Sequence, residues 1–459
     1  MSRGSVPGMF SDAVPKYRLL VFGCQMNKND AERISRLLSD MGLASTEDET
    51  EADVIVMVTC SVRQSAEERI YGKMEDLIDL KKRNPRLLVG VTGCMAGRDR
   101  DGAIRKRLAA VDFFFPTAEM GKLSGWIAER WGLPTPVGTP DSSGQAYLDV
   151  EPLRPPSIAS AFVTIQTGCD KYCAYCVVPY ARGRETNRPV AAILDEVRSC
   201  VDRGIVEVVL LGQSVNSYRA PDAETFSKNN PYADSFAALL WETDSLPGIR
   251  RVHWTAAHPV SMSDEVIDAL GLSHQVNYLH LPVQSGSDEV LRRMNRKYTR
   301  QGFLDIIEAV KHRRPGIALG TDFIVGFPGE TDAQFEETLS LYVEADFDIA
   351  YPAEYSQRTG TLAARLYPDD IPADVKRGRR LAVQDLMERT TLRKNRATVG
   401  TTVEVLVASV DGGEAVGTSS EQKVCRFPCD DPSYIGRIVP IRINTAQTWQ
   451  CHGNMLRSS

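Results

Sequence analysis

The sequence predicts an α/β protein in three parts: an N-terminal parallel α/β domain, a partial (β/α)6 barrel, and a small C-terminal antiparallel β-barrel. Three observations predict it. Short apolar runs alternate with stretches of helical spacing through the first three quarters of the chain. A Pro-, Gly- and Ser-rich stretch, Trp131 to Ser157, interrupts that alternation once. After a basic helical stretch from about Asp369 to Thr398, the remainder is β-branched and rich in turns.

The N-terminal domain is expected over residues 16–135. "YRLLVFGC" reads as a strand ending at Cys24, and "NDAERISRLLSDMG" as a helix with Ile34, Leu37, Leu38 and Met41 on one face. Asn29 or Asp30 is its expected N-cap, and Gly42 lies past its end. "ADVIVMVTC" is a second strand, ending at Cys60. "SAEERIYGKMEDLIDLKKRNP" is a second helix, stopped before Pro85. "RLLVGVTGC" is a third strand, ending at Cys94. The carboxyl ends of parallel strands form the ligand crevice of an open α/β sheet. Parallel strands therefore put Cys24, Cys60 and Cys94 at one sheet edge, although small buried hydrophobes are the plainer reading of each thiol alone.

Residues 136–157 read as a linker. Residues 158–390 carry six strand-like runs, "AFVTIQTG", "VEVVLLGQ", "VHWTAAH", "YLHLPVQ", "IALGTDFIVG" and "DIAYPAEY", with helical stretches between them. Six units suit an incomplete barrel, whose chemistry sits at the C-terminal ends of the strands. The basic stretch "VKRGRRLAVQDLMERTTLRKNR" carries eight basic side chains against two acidic ones. Residues 395–458 follow, with "DGG" as a hairpin signal, and resemble the oligonucleotide-binding sort of β-barrel.

Bulk properties bound the function. A chain of 459 residues is too long for one ordinary core. A net charge of −6 argues against a non-specific coat on nucleic acid, without excluding a local basic patch. No apolar run has bilayer length, and the opening "MSRGSVPGMFSDAVPK" has no signal-peptide core, so it is expected to be a frayed tail on a cytoplasmic protein. Ten cysteines in a reducing compartment point to metal ligands or catalytic thiols rather than disulfides.

Three of those cysteines, Cys169, Cys173 and Cys176, fall in "TIQTGCDKYCAYCVVPYARG" with C-x3-C-x2-C spacing. Clustered thiolates suit iron–sulfur or zinc. Structural zinc needs a fourth ligand, and no matching C-x2-C knuckle lies nearby. A cluster with three protein ligands keeps one iron open for a substrate or cofactor.

C-x3-C-x-aromatic-C, with Tyr175 as the aromatic residue, on the first strand-to-helix loop of a β/α barrel resembles the signature of radical S-adenosylmethionine (SAM) enzymes. "GCQMNKND", "TCSVRQSAEERIYG", "YCAYCVVPYARGRE", "LLGQSVNSYR", "LHLPVQSGSDEVLRRMNRKYTR" and "TDFIVGFPGET" narrow the resemblance to the radical-SAM methylthiotransferase family. It runs from Tyr17 into the C-terminal domain, where it is weakest. The resemblance implies two [4Fe–4S] clusters, one on Cys169, Cys173 and Cys176 and an auxiliary one on Cys24, Cys60 and Cys94. It implies two uses of SAM: one methylates a sulfur of the auxiliary cluster, the other yields a 5′-deoxyadenosyl radical. It implies that C2 of N6-dimethylallyladenosine, next to the anticodon of tRNA, receives the methylthio group. The C-terminal domain would be a TRAM-like RNA-binding module. An electron donor and a sulfur source are further expected partners, and a monomer is expected. Tyr175, Gln213, Gln284, Ser285, Asp322 and Ile324 are the expected SAM contacts. Rival readings are threonylcarbamoyl-adenosine of tRNA or a ribosomal-protein aspartate as substrate, and a non-catalytic Fe–S sensor that binds RNA.

Arg182 and Arg184 could neutralise the SAM carboxylate or RNA phosphate. Arg296 and Lys297, in "RRMNRKYTR" with Tyr298, and Arg379 and Arg380, in the basic helix, are candidate RNA tracks, though such charge is commonly a solvated face. Gly326 and Gly329 would permit close backbone approach, or simply a tight turn. His258 and His280 fall near strand ends. Cys200 reads as core. Cys425 and Cys429 are spaced C-x3-C without a close third partner, and Cys451 has no place in either cluster.

Overall fold

The computed structural model describes residues 14–61, 64–134, 146–154 and 158–456. Most of the expected N-terminal tail and most of the expected linker lie outside these residues, while Lys16, the last residue of that tail, opens the first strand. The described chain forms two compact units. One contains the residues up to 154 together with 167–171 and 176–186; the other contains the rest.

The first unit is built on a parallel sheet of β1 (Lys16–Phe22), β2 (Ala44–Ser45), β3 (Val54–Thr59), β4 (Leu88–Gly93) and β5 (Phe113–Phe114), in the order β2-β1-β3-β4-β5. Its helices are α1 (Gln25–Asp40), α2 (Gln64–Gly72), α3 (Met74–Arg83), α4 (Cys94–Arg98) and α5 (Leu123–Trp131). Every residue of β3 and β4 is buried, as expected of central strands covered on both faces. Val54, Val56 and Val58 face a core with Ile34, Leu38 and Trp131, while Ile55 and Met57 face another with Leu77 and Val91. The period-two alternation of strand side chains thus feeds two helical layers.

Three expectations change here. Helix α1 starts at Gln25, with Cys24 at the N-cap position. Asn29 and Asp30 are buried inside it rather than capping it, because Asp30 is used in an ion pair. The expected second helix is broken at Lys73 into α2 and α3, just after Gly72, a poor helix former. Residues 146–154 are no loose connection: Tyr147 and Leu148 are buried in the first unit's core, and Arg33 donates to the carbonyls of Leu148 and Val150.

Short strands β7 (Gln166–Thr167) and β8 (Thr186–Asn187) bracket the cysteine stretch and helix α6 (Val178–Ala181). The second unit has two parallel three-stranded sheets. The first orders as β10 (Arg251–Trp254), β9 (Glu207–Leu211) and β6 (Ser160–Thr164). The second orders as β11 (Tyr278–His280), β12 (Ala318–Val325) and β13 (Ile349–Glu354). A bridge from Val252 to Gln275 leads from one to the other, giving the six-stranded partial barrel. Helices α7 (Val190–Asp202), α8 (Ser235–Asp244), α9 (Asp264–Ala269), α10 (Asp288–Arg293), α11 (Arg300–Arg313) and α12 (Asp332–Ala345) connect the strands, followed by α13 (Leu362–Leu366) and the 24-residue α14 (Ala373–Arg396). The core joins Val208 and Leu210 to Phe303, Phe323 and Phe347.

The C-terminal barrel closes in the order β14 (Thr402–Asp411), β15 (Glu414–Ser419), β16 (Val424–Pro428), β18 (Cys451–Met455) and β17 (Ile438–Ala446). Gly412 and Gly413, with φ of 58° and 82°, make the tight β14–β15 turn that "DGG" signals. One pair departs from the antiparallel expectation: β16 and β18 run parallel, which closes the barrel. This barrel belongs to the second unit because side chains bind it there. Arg251 donates to the carbonyls of Thr418 at 2.9 Å and Glu404 at 2.7 Å, and Lys423 reaches Asn395 at 2.9 Å.

Candidate functional site

In the first unit the sheet register brings three cysteines to one edge. Phe22 pairs with Thr59, and Thr59 with Gly93. Cys60 and Cys94 follow their strands directly, and Cys24 follows β1 after Gly23. Gly23 (φ 150°) has no space for a side chain: a Cβ there would stand 2.6 Å from the Cys60 Cβ. Gly93 (φ 101°) would collide with the Thr59 carbonyl oxygen if it carried one. Glycine is what allows the strand ends to crowd together. Cys60 and Cys94 are buried and Cys24 is exposed. The protein around Cys24 nevertheless raises its thiol above the usual range, against the pull of the Arg182 guanidinium. Cys24 Sγ donates to Asn27 Oδ1 at 3.5 Å.

Around the C-x3-C-x2-C stretch, hydrogen-bond donors face each sulfur. The Lys171 N–H lies 3.4 Å from Cys169 Sγ, and the Val178 N–H 3.5 Å from Cys176 Sγ. In the second unit, Arg296 Nη1 donates to Cys173 Sγ at 3.2 Å. Donors of this kind favour the thiolate over the thiol. Among the described residues no three His, Cys, Asp or Glu side chains are gathered to hold a single metal ion. A [4Fe–4S] cube takes one thiolate per iron, so its ligands stand apart. Sulfur-only ligands with N–H···S support fit such a cluster better than a mononuclear ion.

Of the expected SAM contacts, Gln213, Gln284 and Ser285 lie beyond strand ends of the second unit, Asp322 and Ile324 lie in the C-terminal half of β12, and Tyr175 lies in the cysteine stretch; they divide into kinds. Tyr175 and Ile324 pack on one apolar cluster with Ala174 and Phe327. Gln213, two residues past β9, has its Oε1 buried without a hydrogen-bond partner among the described residues, and so does the Oγ of the adjacent Ser214. An unsatisfied buried acceptor costs about 1–3 kcal/mol, so a ligand that pairs with it gains that amount. Ser214 was missed by the sequence reading, although it stands beside Gln213 in "GQS". Gln284 adopts φ 75°, with its N–H bound to the Asp322 carbonyl at 2.8 Å. Asp322 meets His280 Nε2 at 3.2 Å. Ser285 departs from expectation: it is fully buried and accepts from the Ser287 N–H at 3.2 Å, facing Thr338 on α12. It braces the loop rather than lining an open rim. Gly326 and Gly329, both at positive φ, leave room for the side chains of Lys376 and Arg293, so the close approach they permit is to the chain itself. His258 is buried, its Nδ1 accepting from the Val260 N–H at 3.3 Å.

The basic residues also sort by burial. Arg184 and Lys297 are exposed. Arg380 is partly buried against Glu354 at 2.9 Å. Arg182, Arg296 and Arg379 are buried and cannot form an RNA track. Arg182 pairs with Asp30 at 2.6 Å, Arg296 also donates to the Pro282 carbonyl at 3.0 Å, and Arg379 pairs with Glu330 at 2.9 Å. Each of these three buried guanidinium groups meets a carboxylate, carbonyl or sulfur, as burial of charge demands, although Arg182 Nη1 and Arg379 Nε find no partner among the described residues. The inward face of α14 carries Lys376, Arg379, Val383, Met387, Thr391 and Asn395, so two of its eight basic side chains are internal wiring. Cys200 is buried in the core, as expected, and Cys425 and Cys451 are buried partners across β16 and β18.

Residues 163–342 match the Radical SAM superfamily, residues 16–116 the uncharacterized protein family UPF0004, and residues 396–456 the TRAM domain. Fold and cysteine stretch therefore define a Radical SAM superfamily protein. Two solved structures are similar in fold: the radical SAM methyltransferase TsrM from Kitasatospora setae, at TM-score 0.53 and 14% identity over 77% of this chain and 74% of that one, and the cobalamin-dependent radical enzyme OxsB, at TM-score 0.51 and 12% identity over 82% of this chain and 56% of that one. The chain is 38% identical to the tRNA-2-methylthio-N(6)-dimethylallyladenosine synthase of Moorella thermoacetica, over 96% of this chain and 98% of that protein. It is 38% identical to the synthase of the same name from Bordetella bronchiseptica, over 99% and 95%. The chain belongs to this family of tRNA-2-methylthio-N(6)-dimethylallyladenosine synthases.

Proposed function

We propose that this protein transfers a methylthio group to C2 of N6-dimethylallyladenosine next to the anticodon of tRNA, with two [4Fe–4S] clusters and SAM as cofactors. One observation carries the reading beyond family membership: the register of β1, β3 and β4 gathers Cys24, Cys60 and Cys94, a second sulfur set in addition to the C-x3-C-x2-C stretch. When bound, the clusters and SAM supply the one-electron chemistry and the sulfur and methyl that are transferred.

The protein's own residues do the rest. Cys169, Cys173 and Cys176 hold one cluster, with the Lys171 and Val178 backbone N–H groups and the Arg296 guanidinium donating hydrogen bonds to their sulfurs. Tyr175 and Ile324 offer SAM an apolar wall, while Gln213, Ser214, Gln284 and Asp322 offer polar partners. Ser285 and Glu330 position the loops that carry them. Glu330 does so by accepting from the Gly326 N–H at 2.6 Å. The adenine edge is reached in an anticodon loop, where bases splay without opening a duplex. Arg184, Lys297 and the C-terminal barrel remain the RNA contacts. Among the described residues no helix is long and apolar enough to cross a membrane, and the proposed setting is the cytoplasm, where tRNA is found. An external electron donor and a sulfur source serve the reaction, and the working unit is a monomer.

The test is anaerobic turnover of the cluster-loaded protein with SAM and a reductant. One anticodon stem-loop carries dimethylallyl-adenosine and another threonylcarbamoyl-adenosine, and the digested nucleosides are weighed. A methylthio gain on the first loop alone is the expected result. A gain on the second alone makes that nucleoside the substrate. SAM cleavage without gain on either loop leaves a radical enzyme with another substrate, such as a protein aspartate. Neither gain nor cleavage, with both clusters intact, points to a sensor.

A further inference from the structure

Arg182 lies six residues beyond Cys176, and its side chain is buried within the first unit, which also holds the strand-end cysteines. Helix α6 delivers it there. Its last residue, Ala181, presents its carbonyl oxygen so close to Gly97 that no side chain fits at that position, and Gly97 stands three residues after Cys94. Arg182 Nη2 donates to Asp30 Oδ2 at 2.6 Å, and both side chains are 2% exposed. Asp30 sits on the inward face of α1 with Met26, Asn27, Ala31 and Ile34, six residues after Cys24. The guanidinium is within electrostatic reach of the Cys24 and Cys94 thiols. Tyr147 lies in the same field, its hydroxyl donating to Thr167 at 3.1 Å. The Nη1 of Arg182 is buried and has no hydrogen-bond partner among the described residues. A buried donor on a fixed cation, within reach of the Cys24 and Cys94 thiols, fits a sulfur-rich anion.

We propose that Arg182 is a positioning residue for the auxiliary cluster held by Cys24, Cys60 and Cys94, setting its reduction potential, with Asp30 as the opposing charge that trims the effect. The proposal rests on the reading of those three cysteines as cluster ligands. Reduction adds one electron, from the external reductant, to an already anionic cluster. A buried cation stabilises the reduced form more than the oxidised one and so raises the potential. Asp30 cancels part of that field while holding the guanidinium in place.

The test uses the full chain carrying Cys169→Ala, Cys173→Ala and Cys176→Ala, so that one cluster remains. Its potential is read by anaerobic titration with electron paramagnetic resonance, alongside iron and sulfide content. Added to this parent, Arg182→Gln lowers the potential, Asp30→Asn raises it, the double variant returns near the parent, and Arg182→Lys recovers most of the loss. Equal potentials in all of these, at intact iron and sulfide content, overturn the proposal. If Arg182→Gln does not fold, Asp30→Asn and Arg182→Lys decide: a potential that Asp30→Asn leaves unchanged or lowers overturns it. A parent that binds no iron defeats the cluster reading itself, and the proposal with it.

Discussion

Buried charge decides the single-residue behaviour of the second unit. Arg379 meets Glu330 at 2.9 Å with both side chains buried, and it meets Asp332 at 2.7 Å where the carboxylate is almost fully exposed. Burial raises the Glu330 carboxyl, opposed by the Gly326 N–H and then by Arg379. Arg379→Met strands that carboxylate and is expected to cost about 3–5 kcal/mol in urea unfolding of the cluster-loaded protein. Asp332→Asn, which removes only the exposed partner, is expected to cost about 1 kcal/mol or less. His253 supplies a pH dependence. Burial, with His280 adding repulsion, lowers its imidazole from 6.5 to about 4. The unfolded chain therefore binds the proton first. The stability this group contributes is complete above about pH 6.5 and is lost as pH falls to about 4, some ~3 kcal/mol in all. Its ring packs edge-on against Tyr278 at 5.9 Å, and its Nε2 makes no hydrogen bond among the described residues. His253→Phe keeps the ring and is expected to remove that part of the acid sensitivity, read from unfolding midpoints between pH 4 and 7.

At the scale of elements, close approach of α4 and α6 anchors the end of the cysteine stretch within the first unit. The approach depends on Gly97, where a Cβ would collide with the Ala181 carbonyl. Gly97→Ala forces the two helices apart and is expected to cost about 1–3 kcal/mol as an overpacked contact. Because α4 begins at Cys94, the same variant is expected to bind less iron, measured per polypeptide after reconstitution. The strands show how much local pattern can say. All six barrel strands and the three cysteine-ended strands were legible, since apolar runs bounded by Gly, Asn and charged residues have few other readings. The start of α1 was not legible. Asn29 and Asp30 look like caps locally, but Asp30 answers to Arg182, 152 positions away.

For the whole molecule, the joint between the partial barrel and the C-terminal barrel is crossed by the side chains of Arg251, Asn277, Asn395 and Lys423. Arg251 spans it, donating to Glu404 and Thr418 carbonyls while lying 3.9 Å from the buried Glu207. Arg251→Leu removes both bonds and leaves Glu207 without its cation. One calorimetric transition of the second unit is expected to become two, with new proteolytic cleavage between α14 and β14; a single unchanged transition would show that other contacts carry the joint. The amino-acid sequence by itself determined the three-part architecture, the two sets of three cysteines and the family, because hydrophobic period and ligand spacing are local properties. Only the tertiary structure decided which arginines are available to RNA. Arg182, Arg296 and Arg379 share their local setting with surface arginines, and what buries them is a carboxylate, sulfur or carbonyl supplied from a distant part of the chain. Burial of a charge depends on that distant partner, and no local pattern records it.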